Sequence, residues 1–390
     1  MKRISHLEKD YVLDALEGQF RSSVNGKYNR LLEEAFAERF NSPFAIGHQN
    51  GTATMHTALV AAGLMPGDKV IVPPLTMAST SLCVLQAGMI PVFADVDIDT
   101  WQISIESIRE NFTSDVKAII SVSLYGGCPD YDPILDFAEK QGLVLIEDNA
   151  ENFLGMYKEG IVGSFGHFAS FSFQASKHMT SGEGGMLLIK DEQMALKARQ
   201  FSSLGYTGID SKKGKITKKD IQSPLRDRHV ALGFNYRMSE LQAACALGQL
   251  ERLDELVDTR VKISKQFLEI LNESNLFTVM NYHHGVTPSY WGTSLRLNDD
   301  VPLEDWFRFY DLYASYGGSG FYAAWKLTYN EPYWRQHVQN FQGVTQNYSK
   351  ALCPNAEYLQ PRIISFPNNQ FLDDELEKDL EALTKMLNMY

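Results

Sequence analysis

Apolar positions along this chain follow two rhythms that alternate. From residue 27 to 40, Tyr28, Leu31, Leu32, Ala35, Phe36 and Phe40 recur at three- and four-residue spacing, which predicts an amphipathic helix. Beyond it come short runs with little polar interruption, at residues 44–46, 69–72, 91–94, 118–122, 143–146, 171–173 and 186–189. Helical stretches at 55–63, 81–87 and 131–139 lie between them. Strands that are apolar on both faces need covering on both faces, so this alternation predicts an α/β protein with a mostly parallel sheet between layers of helices. Ligands bound by such sheets sit at the carboxyl ends of the strands.

Four polar residues fall at those ends: Thr76 beyond Val72, Tyr125 beyond Val122, Asp148 beyond Ile146 and Lys177 beyond Phe173. Lys177 stands in a polar loop closed by Gly182, Gly184 and Gly185. Taken alone it is either a solvated lysine beside a hairpin turn, or an amine that a partly desolvated site enables to attack a carbonyl as a Schiff base. Asp148 either caps the next helix or presents a carboxylate at the mouth of a core strand. The polar stretch 48–54, which leads into a helix, is either an ordinary N-cap built on Asn50 or Thr52, or a cradle of free amides for a phosphate. An amine for an aldehyde, a carboxylate for a pyridinium nitrogen and amides for a phosphate are, together, the groups that pyridoxal phosphate requires.

Composition narrows the field. At 390 residues the chain exceeds one ordinary core, which predicts two structural units. The net charge of −12 sets nucleic acid and anionic membrane aside as partners, since both repel an acidic surface. Cys83, Cys128, Cys245 and Cys353 form no CxxC pair, so no metal site and no disulfide framework is expected, and reduced thiols fit a cytoplasmic protein. The first ten residues contain no apolar secretion core, and no run reaches transmembrane length.

Several ordered motifs extend from about Ser22 to Leu253: Asn50-Gly51-Thr52-Ala53, Gly67-Asp68-Lys69-Val70, Leu124-Tyr125-Gly126, Glu147-Asp148-Asn149-Ala150-Glu151, Ser172-Phe173 with Lys177, Gly182-Glu183-Gly184-Gly185 and Asn235-Tyr236-Arg237-Met238-Ser239-Glu240. In this order they resemble the sugar aminotransferases of the DegT/DnrJ/EryC1/StrS family. The resemblance implies an aspartate-aminotransferase-like fold (fold type I). Its large domain, residues 1–250 with an N-terminal helical arm, would hold a mostly parallel seven-stranded sheet flanked by helices, and residues 251–390 would form a smaller α+β domain. It implies that Lys177 bonds the coenzyme aldehyde and shuttles the proton, and that Asp148 keeps the pyridine nitrogen protonated. Backbone amides at Gly51, Thr52 and Ala53, with the Ser172 hydroxyl, would take the phosphate. Glu151 would lie near the ring and its 3′-oxygen, and Met77 would stand where many members stack an aromatic residue. Asn235 matches an asparagine that reaches the phosphate of a neighbouring subunit, which implies a homodimer with shared sites.

The implied reaction takes an amine from L-glutamate, leaves 2-oxoglutarate and pyridoxamine phosphate, and passes the amine to a keto-sugar for lipopolysaccharide or another surface glycan. The Glu151 variant and the Leu-Tyr-Gly context resemble enzymes that aminate GDP-linked 4-keto-6-deoxymannose to perosamine; the C-terminal part resembles those that aminate an oxidised C8 of the octulosonic acid Kdo, and dTDP- or UDP-linked ketosugars stay open. Ser123 stands where histidine is usual. His178 follows Lys177, whereas a dehydratase subgroup has histidine in place of the lysine, so amine transfer is favoured over dehydration. An NAD-dependent oxidoreductase lacks its GxGxxG signature here, and a non-catalytic ligand-binding regulator is the reading from another class. Further on, Leu250, Leu253 and Leu256 predict a helix continuing from residue 247 to 256, with another beginning at 261. Aromatics at helical spacing in 306–313 predict core. The glycine-rich, aromatic stretch 317–329 is either a sugar pocket or a tight hairpin packed on the core.

Overall fold

The computed structural model describes residues 2–20, 26–211, 223–370 and 373–389; Ser22, where the resemblance begins, lies outside the described residues. The first amphipathic stretch is a helix, Lys27–Arg39, that buries Tyr28, Leu32 and Phe36. Phe36 and Phe40 stack with ring centroids 4.6 Å apart, and Phe40 lies 4.6 Å from Phe171. This aromatic row docks the helix on the strand that leads to Lys177.

The apolar runs assemble into one seven-stranded sheet in the order Phe44–His48, Gly185–Ile189, Phe168–Ser172, Val144–Asp148, Val116–Val122, Lys69–Val72, Ile90–Phe93. Gly185–Ile189 runs antiparallel to both its neighbours, and the other six share one direction. Residues of alternate register face opposite sides, as a pleated strand requires. Ile71, Ile119 and Leu145 pack with Tyr131 and Ile134 of the helix Tyr131–Gln141, while Val70, Val72, Ile120 and Ile146 pack with Ala58 and Leu59 of the helix Gly51–Ala61. The chain between Phe168–Ser172 and Gly185–Ile189 is a hairpin connection, so the loop with Lys177 is thrown out at the carboxyl edge of the parallel strands.

Among the element boundaries that differ from expectation, two bear on the site. The helix predicted from residue 55 begins at Gly51, because the Asn50 side chain accepts the Ala53 N–H at 2.8 Å and caps the polar stretch as its first turn. The helix predicted to continue through Leu256 is instead broken between Glu240–Leu250 and Leu253–Leu271, with Arg252 non-helical at φ −112°. The amino-terminal segment docks at this break. Arg252 donates to the carbonyls of Lys2 and Arg3 and to the Glu8 carboxylate, and Gln249 donates to the Arg3 carbonyl.

Beyond the break, Phe277–Val279, Gly292–Leu297, Ile363–Pro367 and Tyr322–Ala323 form a four-stranded antiparallel sheet. Helices Leu253–Leu271, Asp305–Ser315 and Asp373–Leu387 supply its core, to which Phe309 and Tyr313 contribute as the aromatic spacing predicts. Trp291, Ala324, Leu327 and Trp334 instead join the core of the seven-stranded sheet, so this part of the chain also builds one wall over the strand ends. Among the described residues no helix is long and apolar enough to cross a membrane.

His48, at the end of its strand, is wholly buried, with Nδ1 2.9 Å from the Ile46 carbonyl and Nε2 2.9 Å from the Thr57 hydroxyl. Burial lowers its pKa from 6.5 to about 4. Between those values the unfolded chain takes up a proton that the folded chain refuses, so this group's contribution to stability falls as pH drops. Glu147 and Asp148, raised by burial, act with the opposite sign, and the histidine share is therefore read by difference. We expect His48→Gln to flatten the dependence of unfolding free energy on pH, over roughly pH 4.5 to 6, by up to about 1.4 kcal/mol per pH unit; denaturant titrations across that window measure the change.

Candidate active site

Val122, Asp148 and Ser172 end three adjacent strands, and with the start of the helix Gly51–Ala61 and the loop holding Lys177 they line one cavity of about 460 Å³. A Cβ added at Gly51 would lie 3.0 Å from the Ser172 Cβ, so the helix start and strand end press closely together there. As the first two helical positions, Gly51 and Thr52 carry amides with no intrahelical acceptor. Their N–H groups and the Ser172 hydroxyl thus meet at one end of the cavity.

Of the residues anticipated from sequence, Gly51, Thr52, Met77, Asp148, Glu151, Ser172 and Lys177 line this cavity. Ala53 does not: its amide is held by Asn50, so the cradle at this helix start is narrower than expected. Asn235 also lies outside, exposed in a bridge to Ser203. Met77 is half-exposed at the cavity edge.

Asp148 is buried at the closed end. It accepts the Thr80 hydroxyl at 2.8 Å and the Ala150 N–H at 3.2 Å. Burial pushes its pKa up, while the Thr80 and Ala150 hydrogen bonds and the charge of Lys177 pull it back. Lys177 Nζ is 3.2 Å from Glu151 Oε1 and 5.1 Å from the centre of the Trp291 ring. The other Glu151 oxygen accepts the Tyr125 N–H at 3.1 Å, from a residue held at φ 54°. That left-handed backbone, costly for a side chain larger than glycine, turns the Tyr125 amide toward the cavity. The next residue must be glycine, because a Cβ at Gly126 would lie 2.4 Å from the Tyr290 nitrogen.

The backbone at Lys177 is fixed from behind. Arg260, buried in the helix Leu253–Leu271, donates to the carbonyls of Ser176 at 2.8 Å, Lys177 at 2.9 Å and Trp291 at 2.9 Å, and to the Asn368 side chain at 2.8 Å. Arg3 donates to the same Lys177 carbonyl at 2.8 Å. One guanidinium therefore ties the lysine loop to the segment that supplies Trp291.

His178 points elsewhere. Its Nε2 lies 3.0 Å from the Ser289 carbonyl, its ring packs on Phe153, and it does not line the cavity. Burial and the Arg260 charge hold its pKa well below the usual histidine range. Ser123 is also behind the wall, donating to Asn149 at 2.7 Å. Sequence reasoning missed Thr80, Trp291 and Arg260. None left a local trace: Thr80 lies inside the helix Ser79–Gln86, and only tertiary packing brings it to Asp148 and brings Arg260 and Trp291 to Lys177. The stretch 317–329 divides between its two readings: Phe321 and Tyr329 are core, while Trp325 lines the cavity.

A strand-end cavity that brings together a lysine, a buried carboxylate and free helix-start amides holds the groups that a pyridoxal-phosphate enzyme, an aminotransferase among them, requires. A crystal structure described as the aminotransferase from Psychrobacter cryohalolentis is 28% identical, with a TM-score of 0.84 over 97% of this chain and 96% of that one. A putative sugar aminotransferase from Streptococcus pneumoniae, solved in a PMP form, shares the fold at 23% identity, with a TM-score of 0.85 over 99% and 98%. The profile of the DegT/DnrJ/EryC1/StrS aminotransferase family matches residues 2–382, and the chain belongs to that family. Its relatives include proteins named GDP-perosamine synthase from Escherichia coli O157:H7, 34% identical over 74% of both chains, and from Vibrio cholerae, 32% identical over 76% of both.

Arg260→Met would strip the donor from three carbonyls inside the protein. We expect a loss of at least about 2 kcal/mol in unfolding free energy, with Arg260→Lys recovering part of it; thermal and urea melts of the three proteins check this.

Proposed function

We propose that this enzyme uses pyridoxal phosphate to move an amino group from L-glutamate to a keto-sugar. The observation that carries the reading is that Lys177 and Asp148 share one cavity with the open amides of Gly51 and Thr52. The residues fit the coenzyme on three counts. Asp148 is a buried carboxylate whose hydrogen bonds from Thr80 and Ala150 favour its charged form, the first-turn amides of Gly51 and Thr52 lie beside the Ser172 hydroxyl for a phosphate, and Lys177 supplies the only cation among the described side chains that line the cavity.

Pyridoxal phosphate, when bound, supplies an aldehyde that takes the amine and a ring that accepts the electrons released as the substrate proton leaves. Asp148 would hold a proton on the ring nitrogen. Gly51 and Thr52 N–H groups with the Ser172 hydroxyl would bind the phosphate. Lys177 Nζ would bond the aldehyde and, once released, carry the proton between the two reacting carbons. Glu151, 3.2 Å from Lys177, keeps that side chain aimed into the cleft before the coenzyme arrives. Because Lys177 is in place and His178 lies behind the wall, the geometry favours amine transfer over dehydration.

The relatives named GDP-perosamine synthase support GDP-linked 4-keto-6-deoxymannose as the acceptor. A homodimer with shared sites is supported by the exposed apolar side chains Leu225, Val230, Leu232 and Phe234, which lead directly to the exposed Asn235. The four unpaired cysteines support a cytoplasmic location.

Wild-type protein loaded with coenzyme should absorb visible light, retain a borohydride-fixed label on Lys177, and release one 2-oxoglutarate per amine gained by the sugar in mass analysis. Lys177→Ala should lose the label and at least about a thousandfold in turnover, the scale of removing a covalent catalyst and its proton transfer. Ketone-to-amine conversion by Lys177→Ala at the wild-type rate refutes the assignment. Leu232→Asp should shift the protein from dimer to monomer in sedimentation and lower coenzyme retention; an unchanged sedimentation coefficient removes this face from the interface.

A further inference from the structure

The wall of the main cavity bears on which part of the acceptor the site grips, an inference that rests on the aminotransferase reading.

Trp291 and Trp325 line the cavity, and behind them Tyr125 lies nearly parallel to both. The Tyr125 and Trp325 rings are 6.3 Å apart at 11°, Tyr125 and Trp291 6.1 Å apart at 25°, and the two indoles 6.0 Å apart at 35°. Each ring packs beside the other two, so the aromatic wall is in place before any ligand enters. It begins at the reacting amine, since the Trp291 ring is the one that Lys177 Nζ overlies.

Position then selects what the wall receives. The acceptor's reacting carbonyl belongs to its sugar, so the part that meets a wall starting 5.1 Å from Lys177 Nζ is the sugar, and a nucleobase lies a diphosphate farther on. A sugar ring suits such a surface. Its C–H face covers the indoles while its hydroxyls turn to Gln174, Ser176 and Glu183, which are polar and line the same space.

We propose that Trp325, braced by Tyr125 and Trp291, is a specificity-determining residue that stacks the sugar ring of the acceptor beside Lys177, with any nucleotide directed away from the wall. Within the segment 317–329 the sugar-pocket reading thereby falls on one residue, Trp325. L-Glutamate has no ring face, so its half of the reaction depends little on Trp325.

The test compares wild type, Trp325→Ala and Trp325→Phe as coenzyme-loaded enzymes. The donor half is read as 2-oxoglutarate released from L-glutamate in a single turnover without acceptor. The acceptor half is read as KM for GDP-linked 4-keto-6-deoxymannose or for 8-oxidised Kdo, whichever the wild type aminates. We expect Trp325→Ala to raise the acceptor KM at least tenfold with the donor half within twofold, Trp325→Phe to stay within about threefold of wild type, and GDP alone to compete weakly and equally in all three. An acceptor KM within twofold of wild type in Trp325→Ala overturns the proposal, as does equal damage to both halves. GDP competition that weakens in Trp325→Ala by the same factor as the acceptor shows that the wall holds the base instead, and also overturns it. A wild type that releases no 2-oxoglutarate defeats the aminotransferase reading itself, which is a distinguishable result.

Discussion

The site is built around the cost of keeping the Asp148 carboxylate charged out of water. Burial alone drives such a group toward its neutral form, whereas the proposed role of Asp148, to hold a pyridinium proton, needs the charged one. The structure answers with two hydrogen bonds and one distant cation. Thr80 and the Ala150 amide each bond one carboxylate oxygen, and Lys177 contributes its charge across the cleft. Lys177 in turn needs a partner while no aldehyde is bound, and Glu151 provides it. Each group in the cleft is thus placed by the electrostatic need of another.

That chain of dependence explains why so much of the fold serves one loop. Gly185–Ile189 reverses direction, so the lysine is delivered by a hairpin to the edge where the parallel strands end. A hairpin loop is by itself a poor holder of a catalytic atom, because loop backbones are the mobile parts of a structure. Arg260 and Arg3 compensate by bonding the loop's own carbonyls, one from the helix beyond Arg252 and one from the amino-terminal segment. The break between the helices Glu240–Leu250 and Leu253–Leu271 is where that segment docks, so a feature that looks like a lapse in regular structure helps to position the amine.

Most of the sheet and part of the site were legible in the sequence. Strands buried on both faces announce themselves as unbroken apolar runs, and polar residues just past their ends, Asp148 and Lys177 among them, mark the ligand edge without any long-range information. The start of the helix at Gly51 was misplaced because a capped polar turn has no apolar period to read. Thr76 was available to the same strand-end logic; Thr80, inside the helix Ser79–Gln86, was not. Arg260 and Trp291 were not, since their roles arise from contacts across more than eighty residues of chain, which no local spacing records. Ala53 shows the converse: a motif position can be present while its amide is already spent on an internal cap.

The aromatic wall has one further consequence. Of the five tryptophans, Trp291 and Trp325 line the cleft, whereas Trp101 and Trp334 are sealed in the core. The protein therefore carries its own optical reporter: occupancy of the cleft registers in the emission of two indoles that flank the reacting amine, against a steady background from those locked away.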